Sequence, residues 1–300
     1  AANKPEWCGT ISQSFDGVEL HEIPPNGQGI AALMALGILE HSDIRTHGAD
    51  DLMAVHLQIE ACKLAYSDLH AYVADRTAMT KVDEKALLDP AYLKSRAALI
   101  SADKAQDFGA GAPKQGGTVL MSTADASGMM VSFIQSNYAG FGSGVVVPGT
   151  GVSMQNRGFG FTTQDGHPNQ VAPGKRPFHT IIPGFAMKNG APLMAFGMMG
   201  GPIQAQGHMQ LLLRTQLWDQ DPQTAADAPR WRAIEGLAVA CEPSMPADLL
   251  DGLKALGHAI QIEAPDNAFG FGGAQLVQRN AAGGYAAGSD PRKDGQAAGF

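Results

Sequence analysis

Residues 115–136, QGGTVLMSTADASGMMVSFIQS, contain two short apolar runs separated by a turn, and they follow a loose, glycine-rich tract. The runs 118–124 and 129–136 are typical of paired β-strands, and residues 125–128 (Asp-Ala-Ser-Gly) are typical of the turn between them. This stretch therefore predicts a β-hairpin whose first strand begins on a threonine directly behind two glycines.

The expected register of this hairpin brings a second hydroxyl to that threonine. If Ala124 faces Met129, then Thr118 faces Gln135 and lies beside Ser136. We therefore expect the hydroxyl of Ser136 to reach Thr118 from the opposite strand.

Thr118 can become a good nucleophile if the peptide bond before it is broken. Inside an intact chain, no nearby group accepts the proton of its hydroxyl. Cleavage of the Gly117–Thr118 bond would free an α-amine with a pKa of about 7.7 to 8.0, which is a base on the same residue. We interpret the flexible tract over 103–117 as a self-cleavage site, because it would let the hydroxyl reach the preceding carbonyl. A strand that merely begins with threonine is the alternative.

A second element, AFGMMGGPIQAQGHMQLLLR at 195–214, joins an apolar strand to a helix through Gly200 and Gly201. Backbone N–H groups beside a helix N-terminus suit an oxyanion, so this pair is a candidate oxyanion hole. A glycine-rich turn without a catalytic role is the alternative.

Composition excludes several classes of function. A formal net charge of -8 and the lack of a Lys/Arg run argue against a nucleic-acid or anionic-membrane partner. The three cysteines are odd in number and far apart, and the nine histidines form no metal-binding motif. We therefore expect a small-molecule partner and no metal or other cofactor.

Other patterns predict a mixture of strands and helices. Asp16-Gly17 predicts a tight hairpin turn. Helices are expected over 30–40, 52–73 (behind Asp50 as N-cap), 90–101, 203–217, 222–229 and 245–256. His56, Lys63 and His70 share one stripe of the 52–73 helix, which we interpret as a solvent-facing stripe rather than a metal site.

Taken in order, these motifs resemble the gamma-glutamyltransferase family of N-terminal-nucleophile hydrolases, and more closely its acylase-like bacterial branch. The resemblance runs from about Trp7 to Phe300 and rests on PPNGQGIAALMALGILE, GGTVLMSTADASG, SNYAGFGSG, QNRGFGF, APGKRPFHTIIP, GMMGG and AGSDPRKDGQAAGF. It implies an α+β fold, the four-layer αββα sandwich, made from a precursor that cuts itself into a large and a small subunit.

The resemblance also divides the chain. Residues 1–117 would be the C-terminal part of the large subunit, ending in the cleavage linker, and residues 118–300 would be the complete small, catalytic subunit. The N-terminal part of the large subunit, which in this family supplies further sheet, helices and a substrate-binding arginine, would be missing from this chain.

Carried over by position, the resemblance makes Thr118 the nucleophile and, through its amine, the base. Ser136 stands where the family has a hydroxyl that orients the nucleophile, and Gly200 and Gly201 match the oxyanion-hole pair. Water or an acceptor amine would attack the acyl-enzyme in the second step.

The substrate pocket departs from the glutathione-cleaving members. Tyr138 replaces an asparagine, Arg157 and Gly160 replace the Gln and Asp that hold the α-ammonium, and His179 and Thr180 replace paired serines that hold the α-carboxylate. Arg157 suggests an acyl group with a terminal carboxylate, such as glutaryl, as in the cephalosporin-acylase-like members. A structural ion pair is the alternative for Arg157.

The expected function is that of a self-processing amidohydrolase or acyltransferase that cleaves a γ-glutamyl-like or dicarboxylic-acyl amide through an acyl-Thr118 intermediate. An ordinary glutathione hydrolase (γ-glutamyl transpeptidase) and a catalytically silent binding homologue are the alternatives. The expected partners are a small amide substrate and the two subunits of one precursor, with a dimer of heterodimers left open. We expect a soluble protein of the bacterial cytoplasm or periplasm.

Overall fold

The computed structural model describes residues 6–109, 117–263 and 270–300. Its helices are α1 (Gly29–Leu39), α2 (Leu52–Tyr72), α3 (Glu84–Leu87), α4 (Pro90–Ala97), α5 (Ile203–Leu212), α6 (Pro222–Asp227) and α7 (Ala247–Ala255). Its strands are β1 (Ile11–Phe15), β2 (Val18–Glu22), β3 (Gly117–Ala124), β4 (Met130–Tyr138), β5 (Gly184–Lys188), β6 (Ala191–Met199), β7 (Trp231–Ala233), β8 (Ala238–Cys241), β9 (Ala259–Ile262), β10 (Gly273–Arg279) and β11 (Tyr285–Ser289).

A six-stranded antiparallel sheet with the order β1-β2-β5-β6-β10-β11 forms the centre of the molecule. Strands β1 and β2 precede Gly117 in the chain, whereas the other four follow it. The two predicted subunit pieces, 1–117 and 118–300, therefore contribute to one sheet. Their division at Gly117–Thr118 stays a prediction. A small sheet, β7-β8-β9, lies apart from the central one.

The central sheet is covered on both faces. Gly207 of α5 packs against Met198 of β6, whereas the neighbouring Gly197 faces Leu120 of β3. Since successive residues of a strand point to opposite faces, helix α5 and the β3–β4 hairpin lie on opposite sides of the sheet. Helices α1 and α2 pack together, and α1 packs on α5. Three layers of the expected αββα order, helices, sheet and second sheet, are thus present in the described residues.

Most local predictions are confirmed. Asp16 and Gly17 form the tight turn between β1 and β2, both with positive φ (50° and 76°), as a two-residue hairpin of this type requires. Each predicted helix is present, although α4 ends at Ala97. The N-cap of α2 is Asp51, and Asp50 instead pairs with Arg214.

The predicted register of the β3–β4 hairpin is wrong by one residue. Ala124 pairs with Met130 rather than with Met129. The cause is the turn, in which Asp125 N donates to the carbonyl of Met129 (3.0 Å) and only three residues remain in the loop. Gly128, with φ at 91°, ends that loop in the conformation typical of three-residue hairpin turns.

The beginning of β3 carries a further irregularity. Val119 pairs with Gln135, but Gly117 pairs with Tyr138, so the ladder contains a β-bulge between Gly117 and Val119. Thr118 lies in this bulge and does not face Gln135. A bulge re-aims a side chain relative to the regular ladder, and the predicted nucleophile is the residue affected here.

The solvent-facing interpretation of the α2 stripe is wrong for two of its three residues. His56 is fully buried and Lys63 is only 7% exposed, and His70 is half-buried. Nothing in the described part of the chain combines the helical length and apolar character needed to cross a membrane.

Candidate active site

The predicted nucleophile, Thr118, lies at the start of the β3–β4 hairpin, in the bulge that interrupts the regular alternation of its two faces. Leu120 is buried over Gly197, while Val119 on the other face is 60% exposed. Thr118 and Ser136 are both half-buried. The hydroxyl oxygen of Ser136 accepts a hydrogen bond from the backbone N–H of Tyr138 (2.9 Å). Ser136 thus helps to fix the end of β4, and its predicted action on Thr118 stays a prediction.

Tyr138 links the predicted cleavage junction to the predicted substrate pocket. It pairs with Gly117 across the hairpin and has a positive φ of 76°. Its ring centroid lies 5.4 Å from Cζ of Arg157 and 6.1 Å from the ring centroid of Phe159. Gly117, the residue before the predicted cleavage site, thus pairs with Tyr138, and the ring of Tyr138 contacts Arg157.

Arg157 is a buried cation without a carboxylate partner among the described residues. Its side chain is 3% exposed. Nη1 donates to Oγ1 of Thr180 (3.1 Å), whereas the buried Nη2 has no hydrogen-bond partner in the described structure. Burial lowers the pKa of Arg157 to about 10, so the guanidinium remains cationic at neutral pH. A buried, incompletely bonded charge is costly unless a partner is supplied.

Arg157 lines a cavity of about 170 Å³. Four of the six other lining residues are aromatic, and two of the six carry a hydroxyl: Tyr138, Phe159, Gly160, Phe161, Phe178 and Thr180. A Cβ atom at Gly160 would lie 2.5 Å from the carbonyl oxygen of Phe178, so no larger residue fits at this position without rearrangement. The cavity thus combines apolar walls with one cation, an arrangement suited to an acyl chain that ends in an anion.

His179 lies beside this cavity but is not among the residues that line it. Burial, and then the charge of Arg157, lower the pKa of His179 to about 3, so its imidazole is neutral at physiological pH. Its backbone pairs with the segment before α1, where Gln28 N donates to its carbonyl and its own N–H donates to Asn26 O (both 3.0 Å). Of the predicted pocket residues, Tyr138, Arg157 and Thr180 meet in one cavity.

Gly200 and Gly201 form the turn between β6 and α5, with φ values of 132° and 67° that favour glycine. A Cβ at Gly200 would lie 2.8 Å from Cα of Gly272, so the close approach of another backbone also requires glycine. The turn precedes the N-terminus of a ten-residue helix, a position where backbone N–H groups in general suit an anion. One of them, the N–H of Gln204, donates to the carbonyl of Gly201 (3.2 Å).

Gln28 is a residue near the candidate site that no sequence motif predicted. It is fully buried, and Nε2 donates to the carbonyls of both Thr180 (2.6 Å) and Gly201 (2.8 Å). The sequence signal that could have identified Gln28 as a buried polar residue is its position directly before an entirely apolar helix, in PPNGQGIAALMALGILE.

A second buried cluster lies between α2 and α7. Ligand-type atoms of His56, Glu60 and His258 lie within 4.8 Å of one another, the spacing of a candidate metal site. However, Nζ of Lys63 donates to Oε1 of Glu60 (2.8 Å), and Nε2 of His258 lies 2.8 Å from Nδ1 of His56. The cluster therefore already contains its own cation within a hydrogen-bonded network.

Comparison with known proteins agrees with this architecture. The family model described as gamma-glutamyltranspeptidase matches residues 1–300. The glutathione hydrolase-like YwrD proenzyme of Bacillus subtilis (strain 168) is 33% identical over 308 residues, which cover 100% of this chain and 57% of that protein. The oxamate amidohydrolase proenzyme of Klebsiella pneumoniae subsp. pneumoniae is 36% identical over 306 residues, with the same two coverages of 100% and 57%.

Among solved structures, cephalosporin acylase from Bacillus halodurans superposes with a TM-score of 0.90 at 44% identity, covering 100% of this chain and 54% of that one. The chain thus spans slightly more than half the length of these relatives. Its fold is that of the N-terminal-nucleophile hydrolases. By a match that extends over its whole length, this chain belongs to the gamma-glutamyltranspeptidase family.

Proposed function

We propose that the chain forms the catalytic part of a self-processing amidohydrolase that cleaves amides of acyl groups ending in a carboxylate. The observation that carries this proposal is the buried guanidinium of Arg157, which lines an aromatic cavity with one nitrogen unbonded. A substrate carboxylate would supply the missing hydrogen bond and the missing negative charge. A hydrogen bond to a charged group contributes about 1.5 to 3 kcal/mol, enough to select such substrates.

The proposed reaction begins with self-cleavage of the Gly117–Thr118 bond: the hydroxyl of Thr118 attacks the carbonyl of Gly117, the acyl group moves from nitrogen to oxygen, and water hydrolyses the resulting ester. This leaves a carboxylate on Gly117 and exposes the α-amine of Thr118. That amine accepts the hydroxyl proton as the hydroxyl oxygen attacks the substrate carbonyl, and the N–H groups of the Gly200-Gly201 turn stabilise the oxyanion. The amine then passes the proton to the leaving nitrogen as the C–N bond breaks, and an acyl-Thr118 ester remains. Water attacks this ester, releases the carboxylic acid and restores the hydroxyl.

Two names among the relatives favour hydrolysis over a silent binding role. One relative is named an oxamate amidohydrolase proenzyme and one structural neighbour a cephalosporin acylase. The word proenzyme in several of these names agrees with maturation by cleavage.

A glutathione hydrolase is the second candidate, since one relative is named glutathione hydrolase-like. This candidate requires a carboxylate for the substrate's α-ammonium. Gly160, which replaces the family's Asp, leaves no room for a side chain beneath the carbonyl of Phe178. The cation at Arg157 would also repel an α-ammonium, so the cavity favours an acyl group without that amine.

Processing is tested on the full-length precursor by intact mass and N-terminal sequencing of wild type, Thr118→Ala and a control, Thr123→Ala, on the exposed face of the same strand. We expect two fragments in wild type and in Thr123→Ala, one of them beginning with Thr118, and a single chain in Thr118→Ala. An uncut wild-type protein would contradict the proposed chemistry.

Substrate class is tested with matched anilides. We expect kcat/KM to be highest for glutaryl-p-nitroanilide, lower for γ-glutamyl-p-nitroanilide and lowest for the uncharged pentanoyl compound. A clear preference for the γ-glutamyl anilide would instead support the glutathione hydrolase.

A further inference from the structure

The side chain of Gln28 bonds to two separate parts of the predicted site. One of its N–H groups reaches the carbonyl of Thr180 and the other the carbonyl of Gly201, at 2.6 and 2.8 Å. On the other side of the amide, the hydroxyl of Tyr66 lies 3.3 Å from Oε1 of Gln28 and shares its one proton between that oxygen and the carbonyl of Pro202 (2.5 Å). All hydrogen-bonding atoms of this fully buried amide are therefore engaged.

The first contact acts on the cavity. Thr180 is the residue whose hydroxyl accepts the hydrogen bond of Arg157. Its neighbour His179 is held by two backbone bonds to Asn26 and Gln28. The segment 179–180 therefore makes three hydrogen bonds with residues 26 and 28. The orientation of the Arg157 side chain depends on this segment, because Thr180 accepts its hydrogen bond.

The second contact acts on the glycine turn. Pro202, which follows Gly201, has no N–H to donate, and the carbonyl of Gly201 accepts one backbone bond, from the N–H of Gln204 (3.2 Å). Gln28 binds the carbonyl of Gly201, and Tyr66 binds the next carbonyl, that of Pro202 (2.5 Å). Because glycine has wide conformational freedom, these two side-chain bonds, together with the bond from the N–H of Gln204 to the carbonyl of Gly201, restrict the peptide planes of the turn, including the N–H groups proposed to bind the oxyanion.

We propose that Gln28 is a positioning residue that sets the distance between the carboxylate-binding cation and the oxyanion turn, and thereby the length of acyl chain that the site accepts. The proposal rests on the proposed function above. An acyl group held at its carboxylate end by Arg157 reacts well only if its carbonyl then falls at the oxyanion turn. A displacement of about 1 Å between the two ends is enough to cost about 100-fold in rate.

Gln28→Met tests this proposal, because methionine keeps the length and apolar fit of the side chain but removes both donors. We expect kcat/KM for glutaryl-p-nitroanilide to fall about 10- to 100-fold. We also expect the preference for glutaryl over the shorter succinyl and the longer adipyl anilide to narrow. A purely structural role would lower the thermal stability and the fraction of active protein, but would leave this chain-length profile as in wild type.

The matched control is Gln210→Met, which removes another buried amide, one that donates to Trp231 O (3.1 Å) outside the predicted site. It should keep the wild-type profile. If Gln28→Met does not fold, Tyr66→Phe tests the same point, since it removes the hydroxyl that supports both Gln28 and the turn, and it should flatten the profile in the same direction with a smaller loss.

The two proposals fail separately. An uncut or inactive wild-type protein would overturn the proposed function. A processed, active wild type together with Gln28 and Tyr66 variants of unchanged chain-length profile would overturn the positioning role alone.

Discussion

Lys63 and Arg157 are both buried cations, but they differ in how their charge is neutralised. Lys63, 7% exposed, donates to the carboxylate of Glu60 (2.8 Å) and to the carbonyl of Gln106 (3.2 Å). Arg157, 3% exposed, has one hydrogen bond, to the hydroxyl of Thr180, and no carboxylate among the described residues. A neutralised buried charge is a structural feature, whereas an unneutralised one indicates a place where a ligand completes the site.

The hydrogen bonds around Lys63 also connect helix α2 to residues 101–106. Glu60 accepts from the N–H of Gln106 (3.1 Å), and Nε2 of His56 lies 2.8 Å from the carbonyl of Ser101. Helix α2 therefore holds residues 101–106, the described segment that leads toward the predicted cleavage junction. Lys63 thus supports the path of the chain before the predicted cleavage junction, whereas Arg157 is the cation proposed to bind the substrate.

The largest expected effect is a loss of stability when Lys63, the neutralised cation, is removed. Lys63→Met leaves Glu60 as an uncompensated buried carboxylate, so the free energy of unfolding should fall by about 3 to 5 kcal/mol. Urea denaturation in the uncut Thr118→Ala background measures it on a single chain. Lys254→Met, which removes an exposed pair with Asp251, is the control and should cost at most about 1 kcal/mol.

Turnover per processed molecule should stay near the wild-type value in Lys63→Met. A stable Lys63→Met variant that loses selectivity for carboxylate substrates would contradict this assignment, because Lys63 would then bind substrate and would not be needed for stability.

The second expected effect follows from removing Arg157, which should lower activity without lowering stability. Arg157→Met should reduce kcat/KM for glutaryl-p-nitroanilide by about 10- to 150-fold, the equivalent of one charged hydrogen bond, and change the pentanoyl compound little. Its free energy of unfolding should stay constant or rise, since an unpaired buried charge has been removed. A loss of stability comparable to that of Lys63→Met would show that Arg157 is neutralised within the protein and does not await a substrate.

Local patterns predicted most of the fold. The Asp16-Gly17 turn and the apolar run of α1 depend on neighbours in the sequence, so both could be inferred. The register of the β3–β4 hairpin could not, because it depends on whether Asp125 closes a three- or a four-residue loop. A single hydrogen bond from Asp125 N to Met129 O decides this, and it shifts every pair by one residue.

The site depends on partners far apart in the chain, which periodicity cannot reveal. The helical pattern assigned Lys63 to a solvent-facing stripe, and it could not show that His258, 195 residues away, contributes to the hydrogen-bonded network around Lys63. Gln28 bonds to Thr180 across 152 residues and had no recognised motif. Tyr138, Arg157 and Thr180 were selected through the family resemblance, and the structure brings these three together in one cavity.

The smallest expected effect concerns two histidines, one beside each cation. Burial, and then the charge of Lys63, lower the pKa of His258 to about 3, and burial with the charge of Arg157 does the same for His179. An unfolded histidine titrates near 6.5, so between about pH 6.5 and pH 3 the unfolded chain binds protons that the native chain does not. Stability should therefore decrease as the pH falls through this window.

Each of these histidines should cost about 1 kcal/mol of unfolding free energy between pH 7 and pH 5.5. His258→Gln and His179→Gln should each reduce the acid-induced loss by that amount, measured as the difference between denaturation curves at the two pH values. An acid-induced loss that is the same in wild type and in both variants would show that neither imidazole resists protonation in the folded protein.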